Sequence, residues 1–168
     1  MHVNINDNGV YVMHLLRKII VGTMIAGGTM VLATVSHAES FSFTSTSKAT
    51  NQISIPFPKR PGGSRWIAGK TNVVDSKRGK LTNTFVCSSM SNAPSDLFDL
   101  RVHCDVTEKE GETFGIYGGC NYVNTERSVF NCVGGLIGKA GAYKGRVGSI
   151  TWNQNREGAA SGAGVWNE

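Results

Sequence analysis

Four cysteines, Cys87, Cys104, Cys120 and Cys132, restrict this chain more than any other feature. A turn signal separates each from the next. The run around Cys104 is the clearest: Phe98, Leu100, Val102, Cys104 and Val106 face one way, and Asp99, Arg101, His103 and Asp105 face the other. A period of two is the mark of a half-buried strand. A turn at Asn92–Asp96 sets Cys87 opposite Cys104 and Phe85 opposite Val106. A turn at Asn124–Arg127 sets Cys120 opposite Cys132 and Tyr122 opposite Phe130. The turn at Gly111 brings Cys104 near Cys120, so four adjacent strands are expected to carry their cysteines in one row on an apolar face.

Neighbouring strands lie about 4.8 Å apart, and a disulfide needs Cα atoms within about 7 Å. Cys87 to Cys120 spans two strand gaps, about 10 Å, and Cys87 to Cys132 spans three. Cys87–Cys104 with Cys120–Cys132 uses every cysteine. The rivals are four buried thiols or a single Cys104–Cys120 bond. Zinc would draw thiolates from four separate strands with no C-x-x-C pair, so no metal is expected.

Further strand-like runs are Phe41–Ser47, Asn51–Phe57, Trp66–Val74, Leu81–Ser88, Thr113–Tyr122, Ser128–Val133, Val147–Asn153 and Ala160–Trp166. Turn signals at Pro61-Gly62-Gly63, Ser76–Gly79, Glu110-Gly111-Glu112 and Gln154–Gly158 punctuate them. No segment after residue 38 sustains a helical period. The expected fold is all-β: an antiparallel meander closed into a small barrel of about eight strands, because an open sheet leaves sticky edges.

The N-terminus reads differently. Met13–Lys18 opens a basic stretch, and an apolar run from Ile19 to Val35 ends in Ser36-His37-Ala38. Small residues at Ser36 and Ala38 suit a signal peptidase. The run is shorter than the roughly 20 residues a helix needs to cross a bilayer. Residues 1–38 are therefore expected to be an upstream extension and a cleaved signal peptide, with no stable membrane span after cleavage. Residues 39–168 are expected to form one exported domain, periplasmic or secreted. His2, His14 and His37 leave with the leader, so His103 is the only histidine kept. Even cysteine numbers in an exported domain favour disulfides.

Of the 21 glycines, 13 lie in 111–168. Cys132-Val133-Gly134-Gly135 is followed by Tyr143-Lys144-Gly145-Arg146-Val147-Gly148 and a short strand. This order, a Gly-Gly turn, an aromatic residue and a Gly-x-x-Gly, resembles the signature region of allene oxide cyclase-like and dirigent-like β-barrels. Gly134, Gly135, Gly145 and Gly148 carry the match, and the stretch Leu136–Ala142 is longer than the usual spacing. The resemblance implies an eight-stranded barrel with a cavity and assigns no catalytic residue.

Candidate chemistry is sparse. His103 lies on the polar face, flanked by Arg101 and Asp105, and reads as a solvated side chain. Asp96, Asp99, Asp105, Glu108, Glu110 and Glu112 crowd one hairpin without the form of a calcium loop and read as a solvated edge. Lys59, Arg60, Arg65, Lys77, Arg78 and Lys80 oppose the single acid Asp75 and are candidate contacts for an anionic envelope component. Nucleic acid is not an expected partner of an exported chain. Phe85, Phe98, Phe114, Tyr122, Phe130 and Trp152 fall mostly on inward faces, where they fill a core or line an apolar pocket.

Three functions follow from these features. The first is non-catalytic binding of a small apolar or amphipathic ligand, or of an envelope component, without a cofactor. The second is a cyclase-type enzyme acting on a lipid-like substrate in the barrel. The third is a structural or interaction protein of the envelope using its basic patch. The first two separate on whether a carboxylate or tyrosine points inward with a shifted pKa, and Tyr117, Glu126 and Tyr143 are the polar residues to examine. No motif speaks to an oligomeric state.

Overall fold

Every strand backbone carries donors and acceptors along both sides, so a meander satisfies all of them only if its last strand meets its first. A computed structural model of the protein, describing residues 38–55 and 62–167, has this closed form. The strands run antiparallel in sequence order: β1 (Glu39–Ile55), β2 (Gly62–Asp75), β3 (Gly79–Ser91), β4 (Leu100–Lys109), β5 (Glu112–Tyr122), β6 (Val129–Ala140), β7 (Val147–Asn155) and β8 (Ala159–Asn167). β8 closes on β1 from Glu39↔Trp166 to Thr46↔Ala159. A 3-10 turn, Gly141–Tyr143, is the one helical element among the described residues. The expected leader lies outside the described residues except for Ala38, as do Lys59 and Arg60.

The hairpin registers follow the turns. Cys87 pairs with Cys104 and Phe85 with Val106 across β3–β4. Cys120 pairs with Cys132 and Tyr122 with Phe130 across β5–β6. Both cysteine pairs are disulfides, and no cysteine is free. The single row of four cysteines is not observed. The tight turn between Lys109 and Glu112 sets Cys104 opposite Ile116 and Cys120 opposite Leu100. The two bridges are therefore separate staples, four residues apart along the strands.

Two further expectations need correction. The run Phe41–Ser47 and the described part of the next, Asn51–Ile55, join into one strand, β1, because a bulge between Ala49 and Asn51 absorbs the extra residue without a turn. Gly134-Gly135 is not a turn. Both residues lie within β6, where a Cβ at Gly134 would come within 2.8 Å of the Tyr117 carbonyl oxygen on β5. The chain reverses later, at Gly141–Arg146, with Gly145 in the left-handed region at φ 78°. Gly148 lies on β7.

The apolar face of the alternation points into the barrel. Cys87, Cys104, Cys120, Cys132, Val106, Phe114, Leu136, Ile150, Trp152 and Trp166 form one buried cluster. Full burial of a large apolar side chain contributes about 2 kcal/mol. One end of this core is stoppered by the 3-10 turn. A Cβ at Gly138 would lie 1.6 Å from the Tyr143 carbonyl oxygen, so the absence of a side chain there lets the turn fold back over β6. Tyr143 then packs on Phe114 and Trp166, with ring centroids 4.7 and 5.1 Å away.

Non-reducing peptide mapping is expected to return Cys87–Cys104 and Cys120–Cys132 with no free thiol. Removing either pair (Cys→Ala at both positions) should lower the unfolding free energy in urea by about 3 kcal/mol, the chain-entropy value for loops of this size. Gly138→Ala should expel Tyr143 from the barrel end, read as lost near-ultraviolet dichroism from the Phe114–Tyr143–Trp166 cluster.

Candidate functional site

The two ends of the barrel differ chemically. At the stoppered end, charged side chains from separate segments converge. Glu39 comes from the start of β1, Asp75 from the end of β2 and Glu108 from β4. Glu39 and Asp75 are buried. Arg78, from the β2–β3 turn, lies among all three. Its Nη1 donates to Glu108 Oε2 at 2.9 Å, its Nη2 lies 3.4 Å from Asp75 Oδ2, and its Nε lies 3.3 Å from Glu39 Oε1. Nη2 also donates to the Tyr143 hydroxyl at 2.7 Å, and that hydroxyl donates to Glu108 Oε2. Arg146 donates from Nη2 to Glu39 Oε2 at 2.8 Å and stacks over the Trp166 ring.

The turn that delivers Arg78 is built by Asp75 itself. Its Oδ1 accepts the backbone N–H groups of Lys77 and Arg78, each at 2.9 Å. Burial pushes the Asp75 carboxyl up, but those two N–H groups, the Glu39 side chain and the Arg78 charge outweigh it, so the net direction is down. Burial also works against the Arg78 charge; the Tyr143 hydroxyl and the Glu108 and Asp75 carboxylates overcome it and hold the guanidinium protonated. For Tyr143, burial and then Glu108 push the phenol up, and Arg78 only partly opposes them. The group is thus a neutral phenol locked between an arginine and a carboxylate.

Beyond this stopper the barrel holds a cavity of about 90 Å³. Its wall is mainly apolar: Phe41, Phe43, Phe85, Phe114, Trp152 and Trp166, with aliphatic side chains and the Cys87–Cys104 bridge between them. Asp75, Arg78 and Tyr143 border it at the stoppered end. Asn83, opposite Thr71 on β2, also lines it. Asn83 is only 3% exposed, and its Oδ1 accepts no hydrogen bond from the described residues. A buried amide oxygen left unpaired costs about 1–3 kcal/mol, so this group is poised for a donor the barrel itself does not supply.

The other end is lined differently. A second cavity of about 260 Å³ lies there, and Ile67, Val102 and Gln154 line both spaces. The mouth is bordered by Gln52, Ser54, Arg65, Tyr122, Glu126, Arg127 and Arg156, among others.

The anticipated basic patch does not stay together. Arg65 reaches the mouth. Lys77 and Lys80 are exposed near the opposite end. Arg78 turns inward, three-quarters covered, and its charge is taken up by carboxylates rather than offered to a surface. The acidic hairpin also divides: Asp105 pairs outside with Lys139, and Glu112 with Lys109, whereas Glu108 continues the inward alternation of β4 and joins the buried cluster. His103 is exposed and stacks on Tyr117, with centroids 4.4 Å apart. Of the three polar residues singled out, only Tyr143 is inside. No group of three or more His, Cys, Asp or Glu among the described residues could hold a metal ion.

Glu39, Asp75, Asn83, Glu108 and Arg146 were not identified from sequence as site residues. Asn83 did leave a signal: Leu81, Asn83, Phe85 and Cys87 alternate on one face, so a polar residue stands in an apolar series. No family model, curated protein or solved structure matches the chain.

Two outcomes follow from the stopper. Arg78→Met leaves three carboxylates without their shared cation and should cost at least about 3 kcal/mol of unfolding free energy. The pH dependence has two limbs. Asp75 titrates lower in the folded chain, so its contribution is present above about pH 4 and is lost as pH falls through its folded value. Tyr143 titrates higher in the folded chain, so its contribution is present below about pH 10 and is lost as pH rises beyond that towards its folded value. Denaturant midpoints measured against pH should show a shallower alkaline fall for Tyr143→Phe than for the parent.

Proposed function

We propose that the barrel is an exported binding protein for a small amphipathic molecule held in its interior. The observation that carries this reading is Asn83: a buried amide with an unpaired oxygen on the wall of an otherwise apolar cavity. Apolar pockets with a few placed polar groups are the usual form of small-molecule sites. A cavity of about 90 Å³ is of the scale of engineered apolar cavities of roughly 150 Å³ that hold benzene, and Ile67, Val102 and Gln154 line both it and the cavity at the mouth. The ligand therefore has an apolar body of about one ring at its inner end, with a hydrogen-bonding group directed at Asn83. Two disulfides fit a chain that folds in an oxidising compartment, which supports export.

The cyclase-type reading has one observation in its favour: Tyr143, Arg78 and Asp75 reach the cavity. Binding is preferred because the Tyr143 proton is already donated to Glu108 and every acid of the stopper is engaged. A group held this way seals a barrel end better than it moves protons to a substrate.

p-Cresol and toluene test the binding reading, since they differ only by the hydroxyl that would donate to Asn83. Followed by tryptophan fluorescence, for which Trp152 lies in the wall, p-cresol should bind about tenfold more tightly than toluene. Asn83→Leu should bring the ratio to about one. Equal affinities in the parent protein, or no binding of either, would overturn the reading.

A further inference from the structure

Among the described residues, the arginines that line the two barrel ends are in opposite states. Arg78 and Arg146, at the stoppered end, are ion-paired to Glu39, Asp75 and Glu108. Arg65, Arg127 and Arg156 line the mouth and form no ion pair among the described residues. Glu126 is the one acid bordering that mouth, and it too is paired with none of them. Among the described residues, the arginines lining one end are thus ion-paired and the three lining the other are not.

The mouth arginines are held in place without being neutralised. Arg127 occupies the left-handed region at φ 55°, the one such residue besides glycine among those described. A side chain larger than Asn or Asp is uncommon there, and strain of this kind gathers at binding sites. The turn is fastened by Asn124, whose Oδ1 accepts the N–H groups of Ser128 and Val129. The Arg127 guanidinium lies over the Tyr122 ring, 4.3 Å from its centroid, and Arg156 Nη2 donates to the Arg127 carbonyl at 3.5 Å. Arg65 stands on the β2 side of the mouth, two residues before Ile67, which lines both cavities. Stacking on an aromatic face leaves the guanidinium edge free to bind two oxygens at once.

We infer that Arg65, Arg127 and Arg156 form an anion site at the mouth, so that the ligand carries a carboxylate or phosphate at the end opposite the group that meets Asn83. The inference rests on the interior-binding reading and adds to it the charge of the ligand and its orientation. It also sets a length. Six residues of β2 separate Arg65 from Thr71, the partner of Asn83, or about 20 Å along the strand and about 15 Å along the axis of a tilted barrel. Long arginine side chains shorten that span further.

6-(4-Hydroxyphenyl)hexanoate and its neutral primary amide separate the two claims. In calorimetry at low salt, the acid should bind the parent protein at least about tenfold more tightly than the amide, because hydrogen bonds between ions are the stronger kind. The preference should shrink as sodium chloride is raised. In Arg127→Asn/Arg156→Gln, where Asn suits the left-handed position, the acid-to-amide ratio should fall to about one; Arg65→Gln gives a second, independent loss. Equal binding of acid and amide to the parent overturns the anion site and leaves interior binding standing. Acetate or inorganic phosphate binding as tightly as the hydroxyphenyl acid also overturns it, by assigning the arginines to a free anion. Failure of both acid and amide to bind removes the interior reading and the inference with it.

Discussion

Arg78 is the residue on which the rest of the architecture turns. Its guanidinium meets carboxylates from β1, β2 and β4 and the hydroxyl of Tyr143. Three acids gathered at one end of a narrow barrel repel one another strongly unless a cation sits among them. With Arg78 in place, the start of β1 is tied to β2 and β4, and the 3-10 turn can seat Tyr143 against Phe114 and Trp166. That end is held by ion pairs, although Glu39 Oε1 and Arg78 Nε accept and donate no hydrogen bond among the described residues.

The asymmetry gives the interior a direction. From the stopper outward, the wall passes from bound charges to aromatic rings, then through Ile67, Val102 and Gln154 to a mouth with three guanidiniums that form no ion pair among the described residues. Asn83 stands in the apolar stretch with an oxygen no neighbour fills. An apolar wall alone is consistent with plain core packing. An unpaired amide within it and unneutralised cations above it are features that packing does not require.

Much of the fold was legible because hairpins are local. The turns at Asn92–Asp96 and Asn124–Arg127 set the registers that join Cys87 to Cys104 and Cys120 to Cys132, and alternation placed those sulfurs inside. Glycine does not always punctuate a strand. Gly134-Gly135 is a place of close strand approach rather than a reversal. The offset between the two disulfides was missed because nearness across the Gly111 turn was equated with register.

The site was less legible. Lys77, Arg78 and Lys80 are close in sequence and look alike, yet only Arg78 turns inward, because Asp75 shapes the turn that aims it. Glu39, Glu108, Tyr143 and Arg146 lie far from Arg78 in sequence and meet it only when the barrel closes. The amino-acid order by itself pointed to most of the strands, the registers of the two cysteine-bearing hairpins and the favoured disulfide pairing, since alternation and turns act over a few residues. The closed tertiary structure alone decided which charges are buried and which buried amide has no partner among the described residues. Those properties depend on contacts between segments that no local pattern brings together.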